Sequence, residues 1–142
     1  MGRYKVLEDM AFADSAFEVE GQDLNDLFET AARALAELMV EPATLETSIE
    51  RPIGLSADKV DLLLYDWLSE LIYRKDRDRE VFPEARVRVS GTGPFRLDGT
   101  VRGGVIDRTR TALRADPKAV TFHQFVVAPV DGGWRARIVI DI

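Results

Sequence analysis

The sequence contains no cysteine and a single histidine, His123. The first absence excludes a disulfide framework, a cysteine-based zinc site and a thiol nucleophile. The second means that a nucleophilic dyad would need an uncommon partner. Long apolar runs are also missing. Leu62-Leu63-Leu64 falls far short of the roughly 20 residues that span a bilayer. No apolar stretch follows the basic residues at 1–5, so no signal peptide is read and a cytoplasmic location is expected. Positive charge is outnumbered: 19 Lys and Arg stand against 25 Asp and Glu, for a net charge of -6 and a pI of about 4.9. Proteins that grip nucleic acid through its phosphates usually carry a basic face. The one dense basic stretch here, Arg74-Lys75-Asp76-Arg77-Asp78-Arg79, is diluted by its own acids and reads as a solvated charged loop. The balance favours a protein partner or a divalent cation over direct RNA binding. A P-loop, a dinucleotide-type glycine run and a nucleophile elbow are all missing, and Gly99 and Gly103-Gly104 are isolated.

What is present fits one compact domain over residues 1–142, long enough for a real core. Two segments have helical periodicity. In the first, Leu24, Leu27, Phe28, Ala31, Ala32, Leu35, Leu38 and Met39 recur at spacings of three and four. Asp23 is placed to cap it, with Asp26 in a capping-box position, and Pro42 discourages continuation. The second is expected over about 57–74, with Ser56 as N-cap and the stripe Val60, Leu63, Leu64, Trp67, Leu68, Leu71, Ile72 as core. Strand alternation marks Ala13, Ser15, Phe17 and Val19 against Asp14, Glu18 and Glu20, then 86–89 and 95–102. Residues 119–130 are apolar at both parities, which predicts a strand covered on both faces, and His123 within it reads as a structural residue. Asp131-Gly132-Gly133 signals a hairpin into a last strand with Trp134, Ala136, Ile138, Ile140 and Ile142 on one face. Two helices beside a mainly antiparallel sheet system give an α+β fold.

Two features carry chemistry. Asp14 lies on the polar side of a half-buried strand, between Phe12 and Phe17 in the sequence. The last strand runs into Asp141-Ile142. Termini fray unless tied down. If this strand is paired to its end, the Ile142 α-carboxylate is held beside the Asp141 side chain. With Asp14 nearby, such a group would repel itself unless a cation intervened. Oxygen-only donors suit Ca²⁺, Mg²⁺ or Mn²⁺.

These residues, in this order, resemble the archease family over essentially the whole chain. Lys118-Ala119-Val120-Thr121-Phe122-His123 is similar to the family's Lys-Ala-Val-Thr-Tyr-His strand. Asp131-Gly132-Gly133-Trp134 and the terminal Val139-Ile140-Asp141-Ile142 follow at matching distances. The helix Asp66-Trp67-Leu68-Ser69-Glu70-Leu71-Ile72-Tyr73 resembles the family's Asp-Trp-Leu-Asn-Glu-Leu-Leu-Tyr, and Gly21 before the first helix also fits. The resemblance implies an α+β fold related to the strand-helix-strand-strand (SHS2) module. It also implies a non-catalytic role: assisting the RtcB-type tRNA-splicing ligase, whose histidine receives GMP from GTP, by promoting guanylylation and repeated turnover. It further implies a metal site on Asp14, Asp141 and Ile142, the positions the residues alone suggest. There are departures. The family's His-Thr-Ala-Asp is here Ala11-Phe12-Ala13-Asp14, and its frequent Arg-His is Arg110-Thr111. The expectation is a monomeric ligase activator with a Ca, Mg or Mn site and no direct nucleic-acid or membrane binding. The rivals are a metal-binding or chaperone-like interaction module without a ligase partner, and a hydrolase using Asp14 and Asp141 as a carboxylate pair.

Overall fold

A computed structural model describes residues 2–7 and 14–142. The chain forms β1 (Arg3–Leu7), β2 (Asp14–Gly21), α1 (Leu24–Met39), a short 3-10 turn (Pro42–Thr44), β3 (Ile49–Ala57) and α2 (Val60–Asp78). It continues as β4 (Glu80–Gly91), β5 (Phe95–Val105), β6 (Ala119–Val130) and β7 (Gly133–Asp141). The strands make two antiparallel sheets, one ordered β1-β2-β7-β6 and the other β3-β5-β4. The α+β expectation holds.

Helix α1 starts where the sequence places it. The Asp23 side chain accepts from the Asp26 amide at 2.8 Å, satisfying one of the free N–H groups of the first turn. Asp26 does not complete a capping box. Its carboxylate instead accepts from the Gln22 amide at 2.9 Å and the Gly2 amide at 2.8 Å, which ties the start of the chain to the helix. At the other end Val40 turns to extended backbone and bridges Leu113. Helix α2 departs from expectation at both ends. Ser56 and Ala57 belong to β3, and Lys59 is the N-cap, without a side-chain bond. The β-propensity of the Ile49–Ala57 ladder against β5 outweighs the serine's capping tendency. The basic stretch at 74–78 belongs to the end of this helix, about its last turn and a half, rather than to a loop, and is closed by Arg79 in the left-handed conformation. Its charges are spent internally. Arg74 pairs with Glu70 and Arg77 with Asp78, and buried Lys75 meets Asp116, Asp76 and the Pro117 carbonyl.

The helices lie against the inner faces of both sheets, α1 mainly on β2 and β4 and α2 on β3, β4, β5 and β6. Between them Phe28, Leu35, Leu64, Trp67, Leu97 and Ile138 are fully buried. The Trp67 indole N–H donates to the Phe28 carbonyl at 3.0 Å, so the largest core side chain also leaves no polar atom unpaired. Gly103 lets two strands meet closely, because a Cβ there would stand 1.8 Å from the Val81 carbonyl oxygen. The glycine pair at 103–104 is therefore a packing device. No helix among the described residues is long and apolar enough to cross a membrane.

Two further expectations are corrected. Residues 119–130 form an edge strand, exposed or half-exposed at all but one position, not one covered on both faces. Its aromatic and β-branched residues serve an irregular edge, and His123 is exposed rather than internal. The strand Arg3–Leu7, paired with β2 from Arg3↔Glu20 to Leu7↔Ala16, is not signalled by any clear alternation.

Candidate functional site

The alternation of β2 sends Phe17 and Val19 inward, where they are buried in the core, while Asp14, Glu18 and Glu20 share the other face. The ladder with β7 sets each of these acids against a defined partner. Glu18 stands opposite Arg137, Glu20 opposite Arg135, and Asp14 opposite Asp141. The first part of this face is electrostatically satisfied. Arg135 reaches Glu20 at 3.0 Å and Glu18 at 3.8 Å, Arg3 reaches Glu20 at 2.8 Å, and Lys5 reaches Glu18 at 3.5 Å. These bonds, from Arg3 first and then Arg135, hold the Glu20 carboxyl below its ordinary value.

At the far end the pattern changes sign. Asp14 faces another acid, and directly opposed residues of an antiparallel pair have Cβ atoms about 4.5–5.5 Å apart. Like charges so placed destabilise a sheet unless something intervenes. Asp141 is clamped on both sides, opposite Asp14 on β2 and Ala119 on β6. Its carbonyl accepts from the Lys118 amide at 2.7 Å. Ile142 follows directly, half-buried against the core. The structure thus brings Asp14 and Asp141 together on one face, with Ile142 next in sequence to the second.

The same face carries a group that sequence reasoning passed over. Thr121 lies opposite Val139, one same-face step from the Ala119↔Asp141 pair. Its Oγ1 is buried without a hydrogen-bond partner among the described residues. Strand parity could have placed it, since 119 and 121 share a face, but only the structure shows the hydroxyl unsatisfied. Among the described residues no three His, Cys, Asp or Glu side chains gather as a ready metal cluster. The side-chain carboxylates number two, and a hard cation would need the Ile142 carboxylate, the Thr121 hydroxyl or water to complete its oxygen shell. The donors are all oxygen, which fits Ca²⁺, Mg²⁺ or Mn²⁺ rather than a softer metal.

The two departures from the family pattern have different outcomes. Ala11 lies outside the described residues, with Phe12 and Ala13. Thr111 is buried in a turn, where its Oγ1 accepts from the Asp107 amide at 3.0 Å and its amide donates to the Asp107 carbonyl at 2.7 Å. A small hydroxyl residue closes that turn locally.

Two antiparallel sheets sharing two helices, with a carboxylate pair where the central β7 ends, define an α+β protein whose chemistry-bearing face lies at one end of a sheet. The comparisons name the family. The model of the Archease protein family (MTH1598/TM1083) matches residues 4–142, and the chain belongs to that family. It is 36% identical over 132 residues to a "Protein archease" of Archaeoglobus fulgidus, covering 92% of this chain and 93% of that one. The solution structure of protein 1598 from Methanobacterium thermoautotrophicum is 31% identical, covers 98% of each chain and superposes with a TM-score of 0.80. An archease from Thermotoga maritima, described as a possible chaperone, shares the fold at 19% identity, with 96% of each chain covered and a TM-score of 0.64.

Proposed function

We propose that this protein is an accessory activator of an RtcB-type RNA-splicing ligase, promoting the ligase's guanylylation and multiple turnover in tRNA splicing or RNA repair without being the catalyst. The observation that supports this most is the Asp14↔Asp141 pair in a chain of the archease family. In this reading Asp14 and Asp141 hold a divalent cation, Ca²⁺, Mg²⁺ or Mn²⁺, with the Ile142 main-chain carboxylate. The cation would neutralise the opposed carboxylates and offer a Lewis-acidic coordination position. The protein acts in the cytoplasm as a monomer. It binds the guanylylation-competent form of the ligase more tightly and shifts the population by that difference in affinity. The net charge of -6 suits a protein partner better than RNA.

The test is a multiple-turnover ligation assay with the cognate ligase. With this protein present, joined product is expected to exceed one equivalent of ligase. The variants Asp14→Ala and Asp141→Ala should each lose that stimulation, and titration calorimetry with Ca²⁺, Mg²⁺ or Mn²⁺ alone should show lost binding in both. Stimulation that survives in both variants would remove the carboxylate mechanism. A wild-type protein that leaves turnover unchanged would remove the ligase reading and leave the chaperone-like alternative.

A further inference from the structure

The edge strand β6 is broken by a wide bulge. Thr121 pairs with Val139 and Val126 with Arg137, so residues 122–125 stand opposite Ile138 alone. Within the bulge Gln124 takes a left-handed backbone at φ 52°, a conformation that costs a non-glycine residue about 1–2 kcal/mol. Non-glycine residues held this way concentrate at functional sites.

The bulge projects aromatic surface. Phe122 is 60% exposed, yet its ring stacks on Tyr65 of α2 with centroids 4.2 Å apart and planes 7° from parallel. Phe125 packs edge-on against both rings, at 6.2 Å from each. Exposed Val126 follows Phe125 on β6, and exposed Leu62 lies one turn before Tyr65 on α2. One exposed ring seated on two half-buried ones that pack against the core offers an apolar contact point for a partner. Rings already fixed by stacking lose little freedom on docking, which is how interface anchors work.

Charge chooses the occupant. On α2, Asp61 lies one turn before Tyr65 on the same stripe, and exposed Asp66 flanks that stripe about 100° around the helix. Asp61 accepts from the Leu62 amide. An RNA strand meeting these rings would bring phosphates to carboxylates, and a second copy of the chain would bring acids to acids, which costs several kcal/mol in an interface. A basic protein surface with an apolar recess meets no such penalty. An enzyme that joins RNA must neutralise phosphates around its active site, so it presents such a surface. Phe122 is three residues along β6 from Ala119, the neighbour of Asp141. That is about 10 Å at the rise of a strand, with Phe122 turned toward α2 and the carboxylates on the opposite face, so a partner that touches both must wrap the edge at β6.

We propose that the Phe122–Tyr65–Phe125 cluster is the apolar anchor by which this protein docks on a basic surface of the ligase. This rests on the ligase reading above. It is tested by measuring affinity between the purified ligase and the full chain over a range of salt. Phe122→Ser should weaken binding by about tenfold or more, as loss of an interface anchor does, with an unchanged circular dichroism spectrum. Asp66→Lys, on exposed helix surface, should weaken binding and flatten its salt dependence, and it covers the case in which the bulge variant misfolds. Leu113→Ser, at a site 57% exposed elsewhere, should change nothing. The Asp14→Ala, Asp141→Ala double variant should still bind while losing stimulation.

If the wild type stimulates the ligase and both Phe122→Ser and Asp66→Lys bind like it, the anchor is wrong and the ligase reading stands. If the wild type neither binds nor stimulates, the ligase reading falls and takes the anchor with it. Wild-type dimerisation or RNA binding that Phe122→Ser abolishes would overturn the proposal in favour of those occupants.

Discussion

The strands β4 and β6 each lie at the rim of a sheet, and the molecule treats them in opposite ways. On β4 the outward amides are sealed by α1: the Asn25 side chain accepts from the Val89 amide at 2.8 Å, and the Glu29 carboxylate accepts from the Val87 amide at 2.9 Å. A helix thus takes the place of a missing strand. On β6 nothing comparable covers the ladder among the described residues. The bulge at 122–125 breaks its regularity, and an interrupted edge templates a neighbouring strand poorly. Sealing joins the two sheets and serves stability. Interruption costs some backbone strain and leaves aromatic surface free. The difference teaches that an open rim is tolerated where it can be used.

The contrast can be tested at three points. The largest effect is expected on the sealed rim. Glu29→Ala leaves the Val87 amide, at a residue 8% exposed, without its acceptor. A buried donor left unpaired costs about 1–3 kcal/mol, readable as a lower denaturant midpoint at unchanged slope. An unchanged midpoint would mean that the seal contributes nothing. A smaller effect of opposite sign is expected on the interrupted rim. Gln124→Gly relieves the left-handed backbone but adds freedom to the unfolded chain, for a net gain of up to about 1 kcal/mol. A loss of stability there would show that the conformation carries no strain. The smallest effect concerns β1, the other edge of the four-stranded sheet, which is dressed with Arg3 and Lys5. Glu20 is held below its ordinary value of 4.5 by Arg3 and Arg135. Its contribution is therefore present above about pH 4.5 and lost as pH falls through the lower folded value. Replacing both arginines by Gln should remove this increment above about pH 4.5, a small loss because the ion pairs are exposed, and leave stability below the folded value unchanged, so the acid limb becomes shallower. An unaltered acid limb would remove Glu20 as a contributor.

Much of this was legible in residue order. Helix α1, its Asp23 cap, the inward faces of β2 and β7 and the Asp131-Gly132 turn all follow from local periodicity and backbone preference, which act over a few residues. The pairing of Asp14 with Asp141 could be suspected only from the two ends of the chain and from family likeness, because register is fixed by the whole sheet. The rim position of β6 was misread because apolar residues at both parities look alike whether a strand is covered or bulged. Four residues set against one reverse the faces partway along, and no local pattern reports that. The Ser56 cap failed because a nine-residue ladder with β5 outcompetes one hydroxyl. The unsatisfied Thr121 oxygen was invisible, since satisfaction depends on neighbours far apart in the chain.

The position of β7 has a consequence for assembly. It follows β2 and β6 in the sequence yet lies between them, so the four-stranded sheet closes only when this later-made segment inserts between two earlier ones. Such long-range pairings form late, after the loop-closure cost has been met. A chain still being synthesised, or clipped before residue 133, leaves β2 and β6 without their shared neighbour. It therefore cannot align Asp14 with anything, which makes the molecule's most chemically loaded feature a proof of finished folding.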